Sequence, residues 1–129
     1  MSFIPQQRKA PQGETLPCPF CEIIAGRGPA TVIRQWRDAI SIVPIGPEVD
    51  GHALIIPHHH FSRPEHYPRL SEHALGCALE WAATRGEDYN LIINVGEHAG
   101  QTVPHLHWHY LPRRANDQVA MPWDHQADR

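Results

Sequence analysis

Apolar and polar positions alternate most strictly in His105-Leu106-His107-Trp108-His109-Tyr110, where histidine occupies every second place. Successive side chains of an extended strand point to opposite faces. The pattern therefore predicts a strand over 105–111 with Leu106, Trp108 and Tyr110 on a core face. His105, His107 and His109 share the other face, about 7 Å apart. Period-two runs rich in β-branched residues also predict strands over 31–36 and 39–43, joined as a hairpin at Arg37-Asp38. Two more are predicted over 52–56, stopped by Pro57, and over 91–95. Leu70, Ala74, Leu75, Ala78, Leu79, Ala82 and Ala83 recur at helical spacing and predict the main helix, ended by Gly86. A short helix is predicted over 20–25, closed by Gly26. The sum is an α+β fold: an antiparallel sheet of about five strands with one main helix and a short N-terminal helix.

Composition narrows the class. A chain of 129 residues suits one domain that needs no disulfide staples. The polar stretch 1–14, with Pro5, Pro11 and Gly13, reads as a flexible arm, 15–113 as the domain and 114–129 as a C-terminal tail. Net charge is -3 and there is no polybasic run, so neither nucleic acid nor an anionic membrane is expected as a partner. No apolar run approaches a membrane span, and the N-terminus lacks the apolar segment of a secretory signal. Three cysteines, one unpaired by count, fit a reducing, cytoplasmic setting.

With 11 histidines in the chain, some close pairs are expected by chance. Three in strict alternation opposite an apolar face are not, because a plain solvent face would carry Thr, Lys, Glu or Ser. Imidazole serves as nucleophile, acid, base or metal ligand near neutral pH. The preceding stretch 94–103 holds Gly96 and Gly100, which let backbone approach a ligand, and the short donors Asn94, Gln101 and Thr102. It reads either as a donor loop for a phosphate or acyl group or as a plain glycine hairpin. Cys18-x-x-Cys21 fits half a tetrahedral zinc site, a redox pair, or two packed thiols.

Gly100-Gln101-Thr102-Val103, followed by His105-x-His107-x-His109, resembles the signature of the histidine-triad superfamily of nucleotide hydrolases and transferases. Gly51-His52-Ala53-Leu54-Ile55-Ile56-Pro57 resembles a second strand of that family, and Cys18-Pro19-Phe20-Cys21-Glu22-Ile23-Ile24-Ala25-Gly26 its N-terminal opening. The resemblance implies roles position by position. His107 matches the nucleophile that attacks an α-phosphorus to give a nucleotidyl-imidazole. His52 and His109 match phosphate contacts, Gln101 and Thr102 phosphate or leaving-group contacts, and Asn94 another contact there. In zinc-containing members the ligands beyond the two cysteines would fall on His60 and His105, with His58 and His59 as competitors. The resemblance further implies a homodimer and a purine nucleotide substrate, either a nucleoside phosphoramidate or a dinucleoside polyphosphate. Leu111-Pro112-Arg113 leans toward the polyphosphate branch.

Two departures stand out. Pro44 occupies the place, eight residues before His52, where family members carry Asp or Asn for the ribose. The segment between His60 and Asn94 is short for the family, which implies a trimmed main helix. Trp123 aligns with no family position and reads as a packing residue. Two other readings of the histidine face are a metal-dependent hydrolase that uses the cluster as ligands, and a non-catalytic nucleotide-binding module.

Overall fold

A computed structural model describes residues 18–124 and, ahead of them, two short paired strands, β1 (Arg8–Lys9) and β2 (Thr15–Leu16). The rest of the expected arm 1–14 and the last residues of the tail, 125–129, lie outside the described residues. The main sheet is antiparallel and ordered β3 (Thr31–Gln35), β4 (Ala39–Val43), β5 (Ala53–Pro57), β7 (Trp108–Pro112), β6 (Tyr89–Ile93). Helix α1 (Pro19–Ile24) precedes the sheet, and α2 (Pro68–Arg85) links β5 to β6. The expected five strands, main helix and short helix are all present.

Alternation along the central strands creates two cores, one on each face. Ala53 and Ile55 of β5 point with Leu106, Trp108 and Tyr110 toward α2, which answers with Ala74, Cys77, Ala78 and Ala82. Three of those helix residues are alanines one turn apart, so the helix lies close on the sheet. Leu54 and Ile56 point the other way with Ile40 and Ile42, against Cys18, Phe20 and Cys21 at α1. β5 is buried on both faces and anchors both cores. Pro68 opens α2, and Gly86 closes it in the left-handed region at φ 60°. The helix is 18 residues long, beginning two residues earlier than its periodicity predicts. Among the described residues no helix is long and apolar enough to cross a membrane.

Strand boundaries shift with the pairing of the backbone ladder. β6 runs two residues earlier than expected because it pairs with β7 as far as Tyr89↔Pro112. The histidine strand is shorter than expected, beginning at Trp108 rather than residue 105. Pro57, at the end of β5, has no N–H with which to extend the ladder. The Leu106 N–H goes instead to the Phe61 carbonyl at 2.6 Å. Trp123, expected to pack, is 59% exposed, on a turn of the tail beyond the Arg113–Asp117 ion pair.

The turn into β5 is tight. Gly51 has φ 91°, and a Cβ there would sit 2.9 Å from Pro112 Cγ. Gly51→Ala is expected to cost about 2–3 kcal/mol, from left-handed strain plus the clash with the proline ring. A denaturant-melting midpoint equal to wild type would show that the turn relaxes freely.

Candidate active site and metal centre

The register Leu54↔His109 places His109 on the α1 face of the sheet. His105 and His107 face the same way: both rings meet Phe20 of α1, while Leu106 between them joins the α2 core. The three histidines thus share a side, as the alternation predicts, but each ring makes a different set of bonds.

His105 is fully buried. Its Nε2–H donates to the Pro57 carbonyl at 2.8 Å, which leaves the Nδ1 lone pair free to bind. Burial pushes this imidazole down to about 3, so it is neutral at pH 7. Nδ1 stands 3.5 Å from Cys18 Sγ, 3.6 Å from Cys21 Sγ and 3.2 Å from His60 Nδ1. Cys21 Sγ is 3.3 Å from His60 Nδ1. Around a tetrahedral zinc ion the sulfur and nitrogen ligands lie about 3.3–3.6 Å apart, which these separations match. All four ligand atoms lie within 4.8 Å of one another. Burial, then the neighbouring Cys18, pushes the Cys21 thiol up to about 12, so two thiolates here need a cation beside them. Cys18 also caps α1, its Sγ accepting the Cys21 N–H. The donor set fits zinc, and such a metal would be structural, tying α1 to the segment ahead of His107. His58 and His59 stay outside this grouping.

His107 is buried, and its Nδ1–H donates to the His105 carbonyl at 2.9 Å. That bond leaves the lone pair on Nε2. Burial lowers the pKa, so the ring is neutral and nucleophilic near pH 7.

His52 and His109, expected as independent contacts, are bonded to each other. The Glu48 N–H donates to His52 Nδ1 at 3.0 Å. The neutral His52 ring therefore carries its proton on Nε2, which lies 3.1 Å from His109 Nδ1 and donates to it. His109 in turn holds its proton on Nε2. Burial first, then His107 and His52, push His109 down to about 4. The His107 and His109 rings are 5.0 Å apart between centroids. One backbone N–H thus fixes two tautomers and supplies an N–H donor beside a bare imidazole nitrogen.

The donor loop is largely self-braced. Asn94 Nδ2 donates to the Ala99 carbonyl at 2.7 Å. Gln101 Oε1 accepts the Gly96 N–H at 2.8 Å, while its Nε2 reaches the Ser62 carbonyl at 3.3 Å. Thr102 is exposed. With Ser62, Gly96, Glu97, Gly100 and Pro104, Gln101 and Thr102 line a cleft of about 630 Å³ ahead of the histidine segment. Three participants are not predicted from the sequence: Phe20, the Pro57 carbonyl and the Glu48 N–H. Phe20 alone had a signal, its place inside Cys18-x-x-Cys21.

The HIT domain family profile matches residues 25–116. The chain is 35% identical over 105 residues to an uncharacterized HIT-like protein of Methanocaldococcus jannaschii, covering 78% of this chain and 81% of that one. It is 33% identical over 99 residues to an adenosine 5'-monophosphoramidase of Saccharomyces cerevisiae, covering 75% of this chain and 63% of that one. The crystal structure of a Zn-bound histidine triad family protein from Mycobacterium smegmatis superposes with a TM-score of 0.71 at 32% identity, covering 81% and 80% of the two chains.

Proposed function

The chain belongs to the HIT domain family, and from that premise we propose that it hydrolyses nucleotides at the α-phosphorus through a covalent adduct on His107. The observation that carries this reading is the buried, neutral His107 ring, whose proton is held on Nδ1 by the His105 carbonyl while Nε2 stays bare. Nε2 forms a bond to the α-phosphorus as the leaving group departs with the electrons of its own bond. The ring becomes a nucleotidyl-imidazolium, and its Nδ1–H, still bonded to the carbonyl, disperses the new charge. Water then attacks the phosphorus as the bond to Nε2 breaks, and with its proton lost to solvent the nucleotide is released and the neutral ring restored. His109 Nε2–H, oriented through His52, is a donor for a phosphoryl oxygen or the leaving group.

Substrates of this reading are a purine nucleoside phosphoramidate or a dinucleoside polyphosphate, with Gln101, Thr102 and Asn94 shaping the phosphate side. Zinc on Cys18, Cys21, His60 and His105 takes no part in the bond changes. A water activated by a metal shared among the three histidines fits poorly. His105 Nδ1 faces two thiols, and His109 Nδ1 is already an acceptor for His52. The edge strand β6 with Tyr89 and Ile93 exposed, and Leu79 exposed on α2, supports a homodimer.

The test is a hydrolysis panel of adenosine phosphoramidate, diadenosine polyphosphates and nucleoside diphosphate sugars, run with and without a strong chelator. AMP release from at least one substrate, slowed but not abolished by chelation, is the expected result. A protein that binds AMP but turns over none of them is a binding module, and the reading fails.

A further inference from the structure

We propose that the Cys18/Cys21/His60/His105 centre is a clamp on the nucleophile, with Phe20 and His105 as positioning residues that fix the place and the tautomer of His107. This rests on the reading of His107 as nucleophile and goes beyond a metal that merely staples the N-terminal helix to the sheet.

Two separate routes lead from the four donors to His107. The first is His105 itself. Its side chain belongs to the donor set through Nδ1 and to the end of β5 through Nε2. Its carbonyl, on the same residue, is the acceptor for His107 Nδ1–H. With the side chain held at two points, the residue has little freedom to rotate, and the direction of its carbonyl follows. The second route is Phe20, which lies between the two cysteines in sequence. Its ring meets His105 with centroids 5.7 Å apart at 78°, and His107 at 5.0 Å and 83°. Both are edge-on contacts of the kind aromatic rings favour. Phe20 is buried, so its ring is confined by the same short helix that presents both thiols.

The chemical consequence concerns where one proton sits. A histidine ring free in water prefers its proton on Nε2, the nitrogen that must attack here. The His105 carbonyl reverses that preference by capturing Nδ1–H. If the clamp loosens and the carbonyl turns away, part of the His107 population moves its proton to Nε2. That fraction cannot attack phosphorus. Rotation of the ring away from Phe20 adds a positional loss. The centre thus acts on the chemical step while the phosphate side, built from Gln101, Thr102 and the His52–His109 pair, is left in place.

The experiment uses protein labelled with ¹⁵N at histidine, prepared zinc-loaded and after chelation, together with zinc-loaded Phe20→Leu and His60→Gln. His60 is only half-buried, so its variant keeps the fold if a cysteine variant does not. Ring nitrogen shifts report the His107 tautomer without any turnover. A single-turnover measurement reports formation of the adenylyl-protein, and titration with AMP reports binding. The expected result is a single Nδ1–H tautomer in the loaded protein and a mixture in the chelated protein, His60→Gln and Phe20→Leu. Adenylylation should slow by about tenfold or more, with AMP affinity within about threefold of wild type. Identical nitrogen shifts with and without zinc in folded protein would overturn the clamp. So would a loss of AMP affinity equal to the loss of rate, since the metal would then be shaping the whole pocket. Failure of the nucleophile reading looks different: no adenylyl-protein forms even in the loaded wild type, whatever the shifts show.

Discussion

His107→Asn is expected to lower kcat by about 10⁴-fold or more while AMP binding changes by no more than a few-fold. The side-chain amide can accept the space of the imidazole root and donate to the His105 carbonyl, but it cannot form a stable bond to phosphorus. The remaining donors, His109 Nε2–H among them, still bind the phosphate, so affinity survives when chemistry does not. The fold is expected to survive as well. The neighbours in the alternation, Leu106 and Trp108, stay in the α2 core, and the lost ring contact with Phe20 costs about 1–2 kcal/mol. Rapid-quench detection of the adenylyl-protein separates the possibilities. Wild type should accumulate it, and the variant should show none. Hydrolysis by the variant within tenfold of wild type would remove His107 from the role.

The sequence made the two-sided character of the histidine segment legible because period-two alternation survives even where the ladder does not. His105 and His107 lie outside β7, yet Leu106 still enters the α2 core and the histidines still face α1. The early end of that ladder comes from Pro57, which lies in a different strand, so nothing within 105–111 signals it. The candidate metal donors are legible only in part from spacing. Cys18-x-x-Cys21 announces a thiol pair, but His60 and His105 lie 39 and 84 residues beyond Cys21 and meet it only through the sheet. The least legible features are tautomers. His52 and His109 are 57 residues apart, and their proton positions depend on a backbone N–H at Glu48, whose side chain carries no such information. The sequence assigns Asn94 and Gln101 to substrate contacts, and short polar side chains in a glycine-rich loop also bond the loop's own backbone. Here both do so.

The same buried, neutral histidines make acid the expected weakness of the fold. Burial lowers the pKa of His52 and pushes His109 down to about 4, against an ordinary value of 6.5. Glu48 pulls His52 the other way but is outweighed by burial. An unfolded chain takes up these protons near pH 6.5, and the folded one only at lower pH, about 4 for His109. The unfolded state therefore binds more protons across the interval, and stability falls as pH drops from about 6.5 toward 4. Each histidine contributes a slope of up to about 1.4 kcal/mol per pH unit, less for His109, which keeps some contact with water. The surface carboxylates act in a different window. Asp117, held below the usual carboxylate range by Arg113, loses its partner only under stronger acid. Denaturant midpoints at pH 7, 6, 5 and 4.5 should thus fall steeply and continuously, and His109→Gln should flatten the fall. Activity should decline in the same interval, because a second proton on His52 Nδ1 displaces the Glu48 N–H and frees the ring that orients His109. Constant midpoints from pH 7 to 5 would mean that these rings are open to water in solution, and the tautomer chain built on their burial would fall with them.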